Sequence, residues 1–168
     1  MTNSTALAKE PRTPAEAATG EERAVKMEEI SVVALQITDT VDFGTTMEDV
    51  MSGAVTPPLS GTRLNIAFEG TTEGVLVGTM TGVDYSNIRA DGRLELNIHA
   101  VIVTPEGDQI AYEANGVLVP QPDGVGIVRE AAKLTTTSPN YAWVNGYTFI
   151  SEGTVDTNTG KIDLVLYK

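Results

Sequence analysis

The chain has 168 residues, the size of one domain with room for a sizeable core, and it carries 11 basic against 23 acidic side chains for a net charge of -12. That balance repels phosphate backbones and anionic lipid surfaces, so nucleic acid and membrane partners are not expected. There is no cysteine and only one histidine, which leaves neither a disulfide framework nor clustered zinc ligands.

Residues 1–28 are rich in Ala, Glu, Thr and Pro and read as an N-terminal tail. Thr13-Pro14-Ala15-Glu16 has the residues of a helix start, so a short helix from Pro14 towards Met27 is the expectation there. No apolar leader opens the chain and no stretch approaches the length of a membrane span, and a cytoplasmic location is the simplest reading.

Residues 30–168 read as a single all-β domain. Eight β-type runs follow one another: Ile30 to Thr38, Arg63 to Glu69, Gly74 to Tyr85, Arg93 to Thr104, Gln109 to Val119, Gly126 to Thr137, Ala142 to Thr154 and Lys161 to Tyr167. Turn-forming segments separate them, among them Asp91-Gly92, Pro105-Glu106-Gly107-Asp108, Gln121-Pro122-Asp123-Gly124 and Asp156-Thr157-Asn158-Thr159-Gly160. Short connections and the lack of helical periodicity predict an antiparallel up-and-down barrel of about eight strands, the first pairing with the last to remove open edges. The long connection from Asp39 to Ser60 is expected to contain a short helical turn and to cover one mouth of the barrel.

Motifs with defined chemistry are scarce. Phosphate-binding glycine loops, the dinucleotide fingerprint and the serine-hydrolase elbow are all missing from the sequence. Asp156-x-Asn158-x-Gly160-x-x-Asp163 has the outline of a calcium loop, but it lacks the closing glutamate and lies where a hairpin turn belongs. No metal and no cofactor is therefore expected.

Polar and aromatic residues on strands remain. His99 is the only side chain with an unperturbed pKa near neutrality and is the first candidate for proton transfer. Asn97 shares its face of the strand, opposite Leu94, Leu96 and Ile98, and Asp84 and Tyr85 precede it closely. In the run Asn140 to Phe149, strand alternation would put Tyr141, Trp143, Asn145, Tyr147 and Phe149 on one face, an aromatic wall with one amide.

The order Gly82-Val83-Asp84-Tyr85, Asp91-Gly92, Leu96-Asn97-Ile98-His99, Thr104-Pro105-Glu106-Gly107 and Thr136-Thr137-Ser138-Pro139-Asn140-Tyr141-Ala142-Trp143-Val144-Asn145 resembles the family catalogued as domain of unknown function thirty-two thirty-seven, over about Ile30 to Lys168. The resemblance implies a small antiparallel β-barrel and assigns no reaction. Members carry Asp-Trp where this chain has Asp84-Tyr85, and an Asp-x-Arg pair in place of Asn97-x-His99, so any activity here is expected to be specialised.

Two functions of different class follow. In the first, the barrel is a cofactor-independent enzyme of isomerase, cyclase or lyase type acting on a small, partly apolar organic molecule. His99, Asp84 and Tyr85 are then the catalytic candidates, with Asn97, Tyr112, Tyr141, Trp143, Asn145 and Tyr147 holding the substrate. In the alternative, the same cavity only binds a ligand, or the chain is a structural homo-oligomer.

Overall fold

The computed structural model describes residues 26–168. Residues 1–25, where most of the expected tail helix falls, lie outside the described part. Eight strands close into a barrel in chain order, each antiparallel to its neighbours: β1 (Glu29–Asp42), β2 (Thr62–Gly74), β3 (Gly78–Ile88), β4 (Leu94–Val103), β5 (Gln109–Pro120), β6 (Val125–Thr135), β7 (Thr148–Asp156) and β8 (Lys161–Tyr167). The pairing of β1 with β8, from Glu29↔Tyr167 to Gln36↔Lys161, closes the sheet and leaves no edge open. Each of the eight runs expected from the sequence contains one of these strands, the third beginning at Gly78 rather than Gly74. No helix among the described residues is long and apolar enough to cross a membrane.

Period-two alternation fills the barrel. Along β4, Leu94, Leu96 and Ile98 are buried while Glu95, Asn97 and His99 are exposed. β6 likewise buries Val128, Glu130, Ala132 and Leu134 and exposes Ile127, Arg129, Ala131 and Lys133. In β1 the register shifts between Ile37 and Asp39, a bulge that lets both Ile37 and Thr40 reach the interior.

Two differences from the sequence reading have local causes. The second strand runs on to Gly74, past its expected end at Glu69, because Gly70 packs against β1: a Cβ there would lie 2.1 Å from the carbonyl oxygen of Ala34. The expected strand from Ala142 begins only at Thr148, and Ala142–Gly146 forms a single 3₁₀ turn. Asn145 explains the turn. Its Oδ1 accepts the Thr136 N–H at 2.9 Å and its Nδ2 donates to the Thr136 carbonyl at 2.9 Å, replacing strand pairing with a side-chain brace.

The up-and-down order puts the β2–β3, β4–β5 and β6–β7 connections at one end. This end is packed shut by fully buried Leu76, Val144 and Phe149, with Trp143 and Tyr147 edge-on or tilted against Phe149 at 6.1 Å. The Lys168 ammonium sits 5.3 Å from the Trp143 ring centre and 5.2 Å from that of Tyr147, and pairs with Glu28 at 3.3 Å. At the other end lie the remaining connections, including the long one. It contains α1 (Met47–Met51), capped by Thr46, whose hydroxyl accepts the Asp49 N–H while the Asp49 carboxylate accepts the Thr46 N–H. Met47 and Val50 pack on the core, so this segment covers the mouth as the sequence implies.

Closure of the first end makes Phe149 a strong test of the packing. Phe149→Ala should lower the unfolding free energy by about 3–5 kcal/mol, whereas Leu59→Ala, at a side chain 98% exposed, should stay within about 0.5 kcal/mol. Urea unfolding monitored by far-ultraviolet circular dichroism measures both.

Candidate functional site

An eight-stranded barrel is just wide enough to hold one small ligand if its interior is not filled by side chains. Here the half nearer α1 encloses a cavity of about 230 Å³. Leucine, isoleucine and valine side chains from seven of the eight strands make most of its wall, joined by Met80 of β3, with Met47 of α1 and Thr157 of the β7–β8 turn at its outer limit. Into this apolar space project Asp84 from β3, Tyr112 from β5 and Glu130 from β6. All three are buried, at 6%, 4% and 4% exposure.

Asp84 is positioned by its neighbours in the sheet. The β3–β4 register runs from Thr79↔Val103 to Asp84↔Ile98 and resumes at Asn87↔Glu95. In the gap the Asp84 carboxylate takes the place of a ladder partner: Oδ1 accepts the Asn97 N–H at 2.8 Å and Oδ2 accepts the hydroxyl of fully buried Ser86. Burial pushes the Asp84 carboxyl above the usual range, opposed by those two hydrogen bonds and by the charge of Arg63.

Glu130 stands between Gly116 on β5 and Ser151 on β7. Gly116 is required there, because a Cβ would fall 2.6 Å from the Cα and Cβ of Glu130. The Tyr112 hydroxyl donates to Glu130 Oε1 at 2.7 Å, while Oε2 and the Ser151 hydroxyl are buried without a hydrogen-bond partner. Burial again raises the carboxyl pKa; the Tyr112 hydrogen bond and the neighbouring Ser151 hydroxyl work against this, and the Asp84 charge adds to it. The Tyr112 phenol is pushed well up by burial and by the Glu130 charge beside it. Two carboxyls share one apolar chamber, and burial raises both above the usual carboxylate range.

The structure gathers only part of the set expected from the sequence. Asp84 and Tyr112 line the cavity. His99, Asn97 and Tyr85 do not, because the register that turns Asp84 and Ile98 inward turns Val83, Tyr85, Asn97 and His99 outward. His99 is exposed and packs edge-on against Tyr85 at 5.9 Å, and the Arg63 guanidinium lies 5.5 Å from the Tyr85 ring centre. Tyr141, Trp143, Asn145 and Tyr147 belong to the closed end and do not line the cavity, since the 3₁₀ turn abolishes the strand alternation on which the aromatic wall depended. The loop at Asp156 is a hairpin turn, its Oδ1 accepting the N–H groups of Asn158 and Thr159. Glu130, Ser86 and Ser151 went unread. Glu130 had a signal: it interrupts the alternation Val128, Ala132, Leu134 with a charge on the apolar side.

A carboxyl whose pKa is higher folded than unfolded contributes stability below its unfolded value near 4, and that contribution is lost as pH rises through the folded value. Both Asp84 and Glu130 are of this kind. Unfolding free energy should therefore fall as pH is raised from about 4 towards neutrality. Glu130→Gln should flatten this slope, which chemical denaturation across that pH range measures.

Thirteen chains of known structure match the fold. A crystal structure of a protein of unknown function from Clostridium acetobutylicum is similar at 21% identity, with a TM-score of 0.69 over 86% of this chain and 99% of that one. One of a conserved protein of unknown function from Rhodopseudomonas palustris is similar at 17% identity, with a TM-score of 0.68 over 86% of this chain and 97% of its own. An enzyme from Penicillium herquei is similar at 16% identity, with a TM-score of 0.59 over 88% of this chain and 99% of that one. At these identities the likeness is one of fold. No curated protein matches the chain. The family profile described as Protein of unknown function (DUF3237) matches residues 33–168, the whole barrel from β1 onward, and the chain belongs to that family.

Proposed function

We propose that the protein is a cofactor-independent enzyme that moves protons on a small, partly apolar organic molecule held in the barrel cavity, in a reaction of isomerase, cyclase or lyase type. The observation that carries this reading is the pair Asp84 and Glu130, two carboxyls that burial raises above their usual range, projecting into a chamber otherwise lined almost wholly by hydrocarbon. Leaving such groups inside a core is costly unless they serve a purpose, and unlike environments for two carboxyls are what separate an acid from a base.

The roles follow from the hydrogen bonds. Asp84, which accepts from Ser86 and Asn97, is the group better able to hold a negative charge and acts as the base. Glu130 is the acid, its proton on Oε2 and its Oε1 fixed by the Tyr112 hydroxyl. Tyr112 is a positioning residue in the resting state. One proton passes from the substrate to Asp84 and one from Glu130 to the substrate, so the net charge of the site is unchanged, and return of the proton from Asp84 to Glu130 restores the starting state. Positioned proton transfer of this kind contributes roughly 10² to 10⁴ in rate. The Penicillium herquei enzyme of similar fold supports an enzymatic reading without supplying its chemistry.

The test uses a panel of uncharged ketones, enols and unsaturated alcohols incubated with the protein in D₂O, with conversion and deuterium incorporation at carbon read by nuclear magnetic resonance. At least one should be converted or exchanged. Glu130→Gln and Asp84→Asn should each lower that rate by about 100-fold or more while remaining folded, and His99→Gln should leave it near normal. Undiminished turnover in both carboxyl variants would refute the assignment. Tight binding in the cavity without conversion of any compound would favour a ligand-binding protein instead.

A further inference from the structure

Resting on the cavity reading above, we infer that the ligand is an uncharged, mostly apolar molecule bearing a hydroxyl or carbonyl group, and that the carboxylates around the mouth exclude anionic molecules. The first ground is what the site lacks. Neither the cavity nor the recess outside it is lined by any lysine, arginine or histidine. A ligand carboxylate, sulfonate or phosphate would give up its hydration beside Asp84 and Glu130 with no cation to replace it, a loss that buried anions do not sustain.

The second ground is the geometry of the mouth. Cavity and recess share Thr40, Met47, Leu64 and Thr157, so the recess is the way in. Around it stand Asp42 at the end of β1, Glu48 on α1 and Asp123 in the β5–β6 turn. Of the basic side chains at this end, Arg63 lies on the outer wall, bonded to Asn65 and over the Tyr85 ring, and the others are paired with carboxylates. Arg89 pairs with Glu95 and Asp91, Arg93 with Asp91 at 2.7 Å, and Lys161 with Asp163 at 2.8 Å. Acidic groups around an opening with low-dielectric walls focus a negative potential into it, which lowers the local concentration of anions.

The third ground is the unpartnered Glu130 Oε2. Both oxygens of Asp84 and the Oε1 of Glu130 are already taken, which leaves few polar contacts to satisfy inside the barrel. One hydroxyl or carbonyl oxygen on the ligand matches that number. An ammonium group needs more partners than remain, and its burial among leucines and isoleucines is not compensated.

Isothermal titration with four probes of one ring size separates the cases: naphthalene, 2-naphthol, naphthalene-2-sulfonate and 2-naphthylmethylammonium. The expected order is 2-naphthol tightest, with the sulfonate weaker by about tenfold or more at low salt. In the triple variant Asp42→Asn, Glu48→Gln, Asp123→Asn that gap should narrow by about threefold, and salt should narrow it in the unaltered protein. Leu96→Phe and Leu118→Phe, which add volume to the wall, should each weaken 2-naphthol binding. Sulfonate binding within about twofold of 2-naphthol overturns the inference, as does an ammonium probe that binds more tightly than the alcohol. A gap unchanged in the triple variant, failure of 2-naphthol to bind, or insensitivity to both wall variants also overturns it. These readouts are independent of turnover: normal catalysis by Glu130→Gln would refute the proton-transfer roles and leave the charge preference standing.

Discussion

Closure of the sheet by β1 against β8 is the constraint on which everything else depends. Seven antiparallel pairs would leave two rows of free N–H and C=O groups; the eighth, from Glu29↔Tyr167 to Gln36↔Lys161, removes them. It also converts one face of every strand into an interior with no route to solvent except the two ends. Once Leu76, Val144 and Phe149 fill one end, any space left inside is a chamber entered from the other. The 3₁₀ turn braced by Asn145, and the ring stack it carries, are consequences of the need to stop that end.

Inside such a chamber, polar groups cannot be incidental. The hydroxyls of Ser86 and Tyr112 are spent on carboxyls, and Asp84 also takes a backbone N–H that the β3–β4 ladder leaves free. Asp84 is thus woven into the sheet. Glu130 is not: one oxygen has Tyr112, the other has nothing, and Gly116 gives up its side chain so that the glutamate fits at all. The asymmetry between the two carboxyls comes from these local arrangements rather than from any difference in depth, since both are almost fully buried.

The architecture was readable because each strand carries its own period-two pattern and each turn its own chemistry, both local properties. The site was harder to read because it depends on registers between strands. Nothing in Leu94 to Val103 alone says which face points inward, and a polar face holding Asn97 and His99 invites a chemical reading. Yet once β4 buries its leucines, the same rule exposes His99. Applied to β3 and β6, that rule puts Asp84 and Glu130 inside, so the charged residue that breaks an apolar alternation, and not the lone histidine, marks the cavity wall. The Tyr141 to Phe149 run failed for another reason: Asn145 bonds backbone at Thr136, a contact nine residues away that overrides strand propensity.

This ordering of signals bears on how function is placed in a barrel of this kind. The outer wall is bound less tightly: His99, Tyr85 and Arg63 form a stacked surface group, and Arg63 acts on the interior through its charge on Asp84. An interior position, by contrast, is bound to its neighbours by volume and by hydrogen bonds. Replacing Gly116, Ser86 or Tyr112 would disturb a carboxyl without touching the cavity wall's hydrocarbon. The shape of the cavity can then vary through the many leucine, isoleucine and valine positions, while its polar contacts stay with Asp84, Tyr112 and Glu130. A chamber whose shape is set by one group of residues and whose polar groups are set by another can change one without rebuilding the other, and this fold keeps the two groups on the same inward rows of the same strands.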